Sequence, residues 1–578
     1  MAELARKRPR RPVASQAEQR KVEAPGLPET RVLPFLEKRW RAVVVWLIAI
    51  ATLRIVATYP VMSTTLDEPV TMACGLQYLA KHVYVYETQH PPLARAMAAL
   101  GPYLDGTRPL GFPYKDREGL EVLYHGGHPQ RTLILMRLGI LPFFLLASLV
   151  VCYWARHHFG NAAAVVATGL FTMLPPVLAH AGLATLDMGL TACLAAAFYS
   201  LILWTEAPTW KRSLLLGVTA ALATLTRFTA LGYLPAAAVF ALLSYLAVKR
   251  PGMRTVAVLA RERAAPFALA ALTGALVIWA AYWFSFGKVP GWNLPLPAPE
   301  LFDGIRFAMR HNQAGHAAYL LGQVGSQGWW YYFPVALAVK TPIAFLLLLA
   351  LGVYVCWKKR ADSAYWLPWA FALGILLPAM TGRVNIGVRL ILPVYVGFSI
   401  VAAMAVVRLA QWAHARKWAG IAAGLLVLWM AATGAIHHPD YLAYFNELAG
   451  SEPERVLVDS DLDWGQDTGR LARRLRELGV TEVSFGALGS LGSFFEVWPG
   501  LPRTKPINPV APADGWTAVS LTTAKETQYG LYYQYSNLKP WYEYLEPKER
   551  VGSFLLYYLP PSAAPSDLAS PGSAPRTR

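Results

Sequence analysis

Apolar runs recur along this chain at the length, about 20 residues, that carries a helix across a bilayer. Eleven stand out, near 41–60, 131–155, 161–180, 186–206, 213–226, 229–248, 264–286, 329–357, 364–381, 388–408 and 418–436. The fifth and sixth also read as one long broken segment over 213–248. Basic residues punctuate the pattern. With a cytoplasmic N-terminus, the inside loops hold Arg156, Lys211-Arg212, the stretch from Lys249-Arg250 to Arg263, Lys358-Lys359-Arg360 and Arg416-Lys417, and each of them is basic, as membrane orientation requires. The outside then receives 61–130, the turn near Pro175-Pro176, the turn at Arg227, 287–328, the turn at Arg383, and everything after 436. An even number of spans breaks this agreement.

Beyond 436 the pattern changes. Arg455–Val458, Val480–Phe485 and Thr517–Leu521 read as short strands, and Gly469–Leu478 as a charged amphipathic helix between the first two. Strand, helix and strand predict a small extracytoplasmic α/β domain over 437–560. The predicted fold is an all-α polytopic membrane protein of about eleven transmembrane helices over 41–436, with large outer loops at 61–130 and 287–328, followed by that domain. The first outer loop contains amphipathic stretches, such as Pro92–Leu100, suited to lying in the interface. Residues 1–40, rich in Pro, Arg and Lys, predict a disordered cytoplasmic tail, with no cleavable signal pattern. Residues 561–578 predict a second, low-complexity tail.

Composition agrees with a membrane chain. Hydrophobic residues make up 55% and charged ones only 15%, against about 25% charged in soluble proteins. The net charge of +18 falls in short clusters between spans rather than along one face, which argues against a nucleic-acid partner. Four cysteines are too few for a disulfide framework, and no metal-type pair exists. Cys152, Cys193 and Cys356 fall within apolar spans as small hydrophobes, while Cys74 lies outside any span.

The candidate chemistry lies on the outer face. Asp67 and Glu68 follow the first span in TTLDEPVTMACGLQYL, His90 sits in ETQHPPLARAMAAL, and Asp187 opens the fourth span in HAGLATLDMGLTA. Carboxylates at a bilayer edge invite a functional reading, although Asp187 also suits the positive end of a helix dipole. Four cations share that half of the membrane: Arg227, Lys340, Arg383 and Arg389. Lys340, about 16 Å of helix into its span, has the alternative of snorkelling to the interface. Taken together, four cations opposite two carboxylate sites fit a lipid-linked phosphate. His311, His316 and Tyr319 in the loop 287–328 are candidates to line a substrate pocket or are plain loop residues, and Trp329 and Trp330 read as an interfacial belt. Asp459, Asp461, Asp463 and Asp467 begin like an EF-hand, but Trp464 stands where Gly is needed and Arg470 where Glu is needed. A polar loop capping the next helix, or a cation site of another kind, stays open.

The order and placement of Asp67-Glu68, the HPPL run and Asp187 resemble the GT-C glycosyltransferases. The nearest branch is the protein O-mannosyltransferases (glycosyltransferase family 39) and their bacterial relatives, which include lipid A aminoarabinose transferase. HNQAGHAAYLLGQVGSQGWWYYFPVALAVKTP, NIGVRLILPVY and HPDYLAYFNELAG with VDSDLDWGQD look like a bacterial subgroup of it, so the resemblance covers roughly 41–560. It implies inverting transfer from a polyprenyl-phosphate sugar to a lipid, glycan or protein acceptor, in the cell (inner) membrane. Asp67 would be the base, with Glu68 and Asp187 positioning base or acceptor. Arg227, Lys340, Arg383 and Arg389 would hold the phosphate, Lys340 and Arg389 foremost. No cofactor is specified, and a divalent cation stays an open question because relatives differ.

A flippase or transporter of lipid-linked sugars is the alternative from another class, but no internal repeat is visible. A non-catalytic assembly or sensor protein has no need of the Asp67, Asp187 and Arg389 constellation. The basic-loop parity predicts that a reporter fused after residue 560 is active outside the cytoplasm. Activity confined to the cytoplasm refutes the assigned orientation.

Overall fold

The computed structural model describes residues 32–560 apart from 293, 414, 488–499 and 527–538. Of the two expected tails, 1–31 and 561–578 lie outside the described residues, whereas 32–40 form the opening turns of the first helix, Val32–Thr58. Among the described residues, eight helices are long and apolar enough to cross a membrane, or nine if a bent pair is taken as one span. The run Pro129–Met173 covers two expected spans. It is divided at Gly160, whose φ of 87° is not helical. The Ala162 N–H just beyond donates to Glu37 Oε1 at 3.0 Å, which satisfies one of the free donors at the new helix start. Trp210–Thr226 forms as a helix of 17 residues. With these two segments counted, the eleven apolar runs of the sequence are all helical.

The expected span 329–357 is the bent pair. Tyr332–Lys340 and Ile343–Lys358 meet at 116°, because Pro342 cannot continue a helix. Lys340 therefore ends a short helix instead of sitting midway along a straight one.

Helices Asp187–Glu206 and Val394–Trp412 form the centre of the bundle and are buried over most of their length. Met253–Ala281 and Ala230–Lys249 leave most of their apolar surface exposed, as lipid-facing helices do. Small residues set the close approaches. A Cβ on Gly352 would stand 2.3 Å from the Val401 carbonyl oxygen, so only glycine lets Ile343–Lys358 lie against the central helix.

The segment 61–130 folds into helices that include Asp67–Lys81, Pro92–Leu104 and Lys115–His125. They pack on one another: a Cβ on Gly75 would lie 2.2 Å from Arg95 O, and one on Gly119 2.2 Å from Pro69 O. The buried Glu118 carboxylate accepts the N–H groups of Leu110, Gly111 and Phe112, closing the turn between the last two helices.

Nine strands occur among the described residues. β1 (Phe286–Lys288) pairs with β2 (Pro295–Pro297), and β3 (Ala318–Leu320) with β4 (Gln323–Gly325), both antiparallel. The remaining five are β5 (Glu482–Gly486), β6 (Arg503–Pro506), β7 (Gly515–Ser520), β8 (Glu549–Val551) and β9 (Phe554–Leu559). They form one mixed sheet in the order β6-β5-β7-β9-β8, parallel across β6, β5 and β7 and antiparallel beyond. Helix Thr468–Glu477 leads into it. Two expected strands appear as β5 and β7. Arg455–Val458 does not form one: a 3-10 turn at Pro453–Arg455 precedes buried Leu457 and Val458, and Val456 O only accepts the Leu321 N–H at 3.0 Å.

The segment 459–469 locks this domain to the bundle. Ser63 N–H donates to Gln466 O (2.9 Å), Leu66 N–H to Trp464 O (3.2 Å) and Val388 N–H to Asp461 Oδ1 (3.0 Å). Lys340 Nζ donates to Leu442 O (2.8 Å) and Asp461 O (2.6 Å), and lies 4.2 Å from the Phe445 ring centroid. Lys340→Met removes both donors from buried carbonyls, a loss of about 1–3 kcal/mol for each group left bare. Limited proteolysis of the purified variant is expected to release the C-terminal domain sooner, with helical circular dichroism unchanged.

Candidate active site

Two acidic helix starts face each other across one end of the bundle. Asp67 begins Asp67–Lys81 and Asp187 begins Asp187–Glu206, each in a first turn where the helix dipole favours negative charge. Arg389 stands between them, on a 3-10 turn Val388–Ile391 just before the central helix. Its Nη1 lies 2.8 Å from Asp67 Oδ2 and 3.8 Å from Asp187 Oδ2. Arg227, at the end of Trp210–Thr226, pairs with the other oxygen of Asp187. The result is a chain of alternating charge: Asp67, Arg389, Asp187, Arg227.

Exposure separates the members. The Asp67 side chain is 38% exposed, Arg389 9%, Arg227 13% and Asp187 1%. Asp67 is therefore the carboxylate of the cluster that is open to solvent, and Asp187 is an internal counter-charge for two arginines.

Glu68, expected to position acceptor or base, lies inside the fold. It forms a wholly buried pair with Arg137, at 2.8 Å to Nε and 2.9 Å to Nη2, and also accepts the N–H groups of Thr65 and Ala184. Its oxygens are thus engaged by protein. Arg137 in turn donates to Met62 O (3.0 Å) and Ser63 O (2.8 Å). The pair fixes the chain just before Asp67 and the turn just before Asp187, so Glu68 and Arg137 act on the site through the positions of those carboxylates.

Of the four expected phosphate-binding cations, Arg389 and Arg227 are in the cluster. Lys340 is buried and committed to backbone carbonyls, because the bend at Pro342 turns it towards the C-terminal domain. Arg383 is exposed and apart, donating to Gln313 O at 3.0 Å while its N–H meets Asn312 Oδ1. His90 is close enough to Asp187, Arg227, Glu87 and Arg95 to feel their charges. His311 and His316 face each other with ring centroids 5.8 Å apart, His316 within electrostatic reach of Asp459. Tyr319 donates to Arg455 O (3.3 Å) and is turned to the C-terminal domain rather than the cluster.

Four further residues belong here. Trp464 stacks on Arg389, with the guanidinium carbon 4.1 Å from the ring centroid. Asp459, at φ 57°, brings a third carboxylate near Arg389; burial pushes it up to about 6 against the pull of the Arg389 charge. Glu526, buried and beside Asp459 and Asp463, is pushed up to about 8 by burial and by those two charges. His180, buried, lies within reach of the charges of Asp187 and Arg389. Among the described residues, the His, Asp and Glu side chains spaced to share a metal ion are His157, His158 and Glu206, which lie at the other end of helix Asp187–Glu206 from this cluster.

Residues 133–283 match the family model described as dolichyl-phosphate-mannose-protein mannosyltransferase. That stretch carries Arg137, Asp187 and Arg227; Asp67 and Arg389 lie outside it. No curated protein matches the chain. Among solved structures, ArnT from Cupriavidus metallidurans bound to undecaprenyl phosphate is 14% identical, over 89% of this chain and 97% of that one, with a TM-score of 0.48. The archaeal oligosaccharyltransferase AglB from Archaeoglobus fulgidus, in complex with an inhibitory peptide and a dolichol-phosphate, is 12% identical over 83% of this chain and 62% of that one, with a TM-score of 0.43. Similarity at this level concerns the fold alone. The resemblance to GT-C glycosyltransferases read from the sequence is thus met by the family-model match.

Removing one member of a buried ion pair leaves the other uncompensated, which typically costs about 3–5 kcal/mol. Arg137→Met is expected to lower the unfolding midpoint of the purified protein sharply. The double substitution Glu68→Leu/Arg137→Met, which buries no lone charge, is expected to recover part of that loss.

Proposed function

We propose that this protein is a membrane glycosyltransferase that moves a sugar from a polyprenyl-phosphate carrier to a hydroxyl acceptor on the outer face of the membrane, with inversion at the anomeric carbon. The observation that carries the reading is the accessible Asp67 carboxylate held by Arg389 next to a second, buried carboxylate–arginine pair. The family model matched by residues 133–283 supports a lipid-phosphate donor.

In this mechanism the acceptor hydroxyl approaches Asp67, which takes its proton as the oxygen attacks the anomeric carbon. The bond between that carbon and the phosphate oxygen breaks, and its electron pair leaves with the polyprenyl phosphate. Arg389 and Arg227 supply fixed positive charge where negative charge grows on the leaving phosphate. Asp187 does no proton transfer: it is enclosed, and its two arginines hold it ionised and in place. The ion pair with Arg389 fixes the orientation of Asp67, and the Glu68–Arg137 pair fixes its backbone. The acceptor is a lipid, a glycan or a protein, and the donor sugar is a hexose or pentose.

Asp67→Asn keeps shape and removes proton acceptance. With a panel of radiolabelled polyprenyl-phosphate sugars and membrane extract, its turnover is expected to fall by about 10²–10⁴-fold while donor binding persists. Arg389→Lys keeps the charge but loses the planar fork, and donor affinity is expected to fall with it. Near-normal turnover in folded Asp67→Asn removes Asp67 as the base.

A further inference from the structure

A cavity of about 620 Å³ opens at the end of the bundle remote from Asp67 and Asp187. It lies between the break at Gly160, the end of Ile343–Lys358 and the last turns of Val394–Trp412. Arg389 stands before the first residue of that last helix and the cavity at its final turns, which are separated by roughly 25 Å at 1.5 Å per residue. The cavity therefore takes no part in the proposed transfer.

Its lining combines two chemistries. Lys358, Lys359 and Arg408 bring three positive charges to it, and Phe159, Tyr365 and Trp412 supply aromatic wall. Among the described residues no carboxylate lies within ion-pair distance of any of the three cations. The nearby acids are otherwise engaged. Glu37 Oε1, beside Gly160, accepts the Ala162 N–H at 3.0 Å, Glu206 meets His157 at 3.1 Å and Arg212 at 3.7 Å, and Asp362 Oδ1 accepts the Ala364 N–H at 3.0 Å. The Arg408 guanidinium packs over Trp412, 5.0 Å from the ring centroid, which keeps it at the cavity rim. Three converging cations without acidic partners attract an anion. An aromatic wall at the end of membrane-crossing helices suits an anion that carries an apolar tail.

We propose that this cavity binds the phosphate of an anionic membrane phospholipid, with the phosphodiester on Lys358, Lys359 and Arg408 and the start of the acyl chains against Phe159 and Trp412. Basic pockets between membrane helices are suited to such headgroups. A soluble phosphate ester shares the charge chemistry but gains nothing from the aromatic wall.

The test is native mass spectrometry of the full-length protein taken from vesicles of equal phosphatidylglycerol and phosphatidylcholine. Wild type is expected to retain phosphatidylglycerol preferentially. Lys359→Gln/Arg408→Gln is expected to weaken that retention roughly 30-fold, and Lys359→Gln alone roughly fivefold. Both side chains are exposed, so an unchanged unfolding midpoint is expected to accompany the loss. Equal retention of the two lipids, or undiminished preference in the folded single and double variants, overturns the proposal. Displacement of the lipid by millimolar glycerol 3-phosphate overturns the lipid as the source of the anion.

Discussion

A guanidinium taken out of water cannot shed its charge, and enclosing it unpaired costs several kcal/mol. Arg389 is enclosed, so the fold has to bring it counter-charge. It does so from three distant stretches of chain: Asp67 from the first outer loop, Asp187 from the start of a central helix, and the Trp464 ring from the loop leading into the C-terminal domain. Each has its own support. Glu68 and Arg137 pin the segments before Asp67 and Asp187, Arg227 neutralises the remaining face of Asp187, and Asp461 ties the loop to Val388 beside Arg389. The geometry of this end of the bundle follows from neutralising one cation.

The C-terminal domain is consequently part of the site and not an appendage. Its sheet holds the polar loop from behind, with Thr522 N–H donating to Asp463 Oδ2 at 2.9 Å and Ser553 N–H to Asp467 Oδ2 at 3.0 Å. On the front of the same loop, Asp459 and Trp464 meet Arg389. Crowding buried carboxylates is tolerable only if some of them give up charge. Burial lifts Asp459 to about 6 against the Arg389 charge, and it lifts Glu526 to about 8 with the charges of Asp459 and Asp463 adding to it. Glu526 thus keeps its proton to a higher pH than a free carboxyl does.

The spans were legible because hydropathy over 20 residues is a local property, and Asp67, Asp187 and Arg389 because a charge at a membrane edge is conspicuous. Arg137 carries the same signal, a lone arginine inside an apolar run, but it was absorbed into a span whose helical start is in fact the separate segment Pro129–Leu138. Lys340 was misplaced by one assumption, a straight helix through Thr341-Pro342. The acidic loop reads as a cation-site or capping question, whereas in the fold its carboxylates accept the N–H groups of Val388, Thr522 and Ser553 and Trp464 stacks on Arg389, partners for which sequence spacing offers no template. Short strands are the least legible: β1 to β4, β6, β8 and β9 have no counterpart in the sequence pattern, and Arg455–Val458 has strand composition without a strand partner. Pairing is a property of the whole sheet.

In the proposed transfer the charge of the site does not change. Among the ion-paired groups two arginines and two aspartates cancel, and a bound sugar phosphodiester adds one negative charge. When the sugar leaves its carrier, the phosphate becomes a monoester and gains a second charge, while Asp67 takes the acceptor proton and loses one. The gain and the loss fall on groups that share Arg389. As Asp67 is neutralised its hold on the guanidinium weakens, at the moment the phosphate's demand for positive charge is greatest. An arginine placed between base and leaving group links proton acceptance to departure without having to move far. The enclosed Asp187–Arg227 pair stays fixed throughout, which suits a frame of charge organised before the reaction begins.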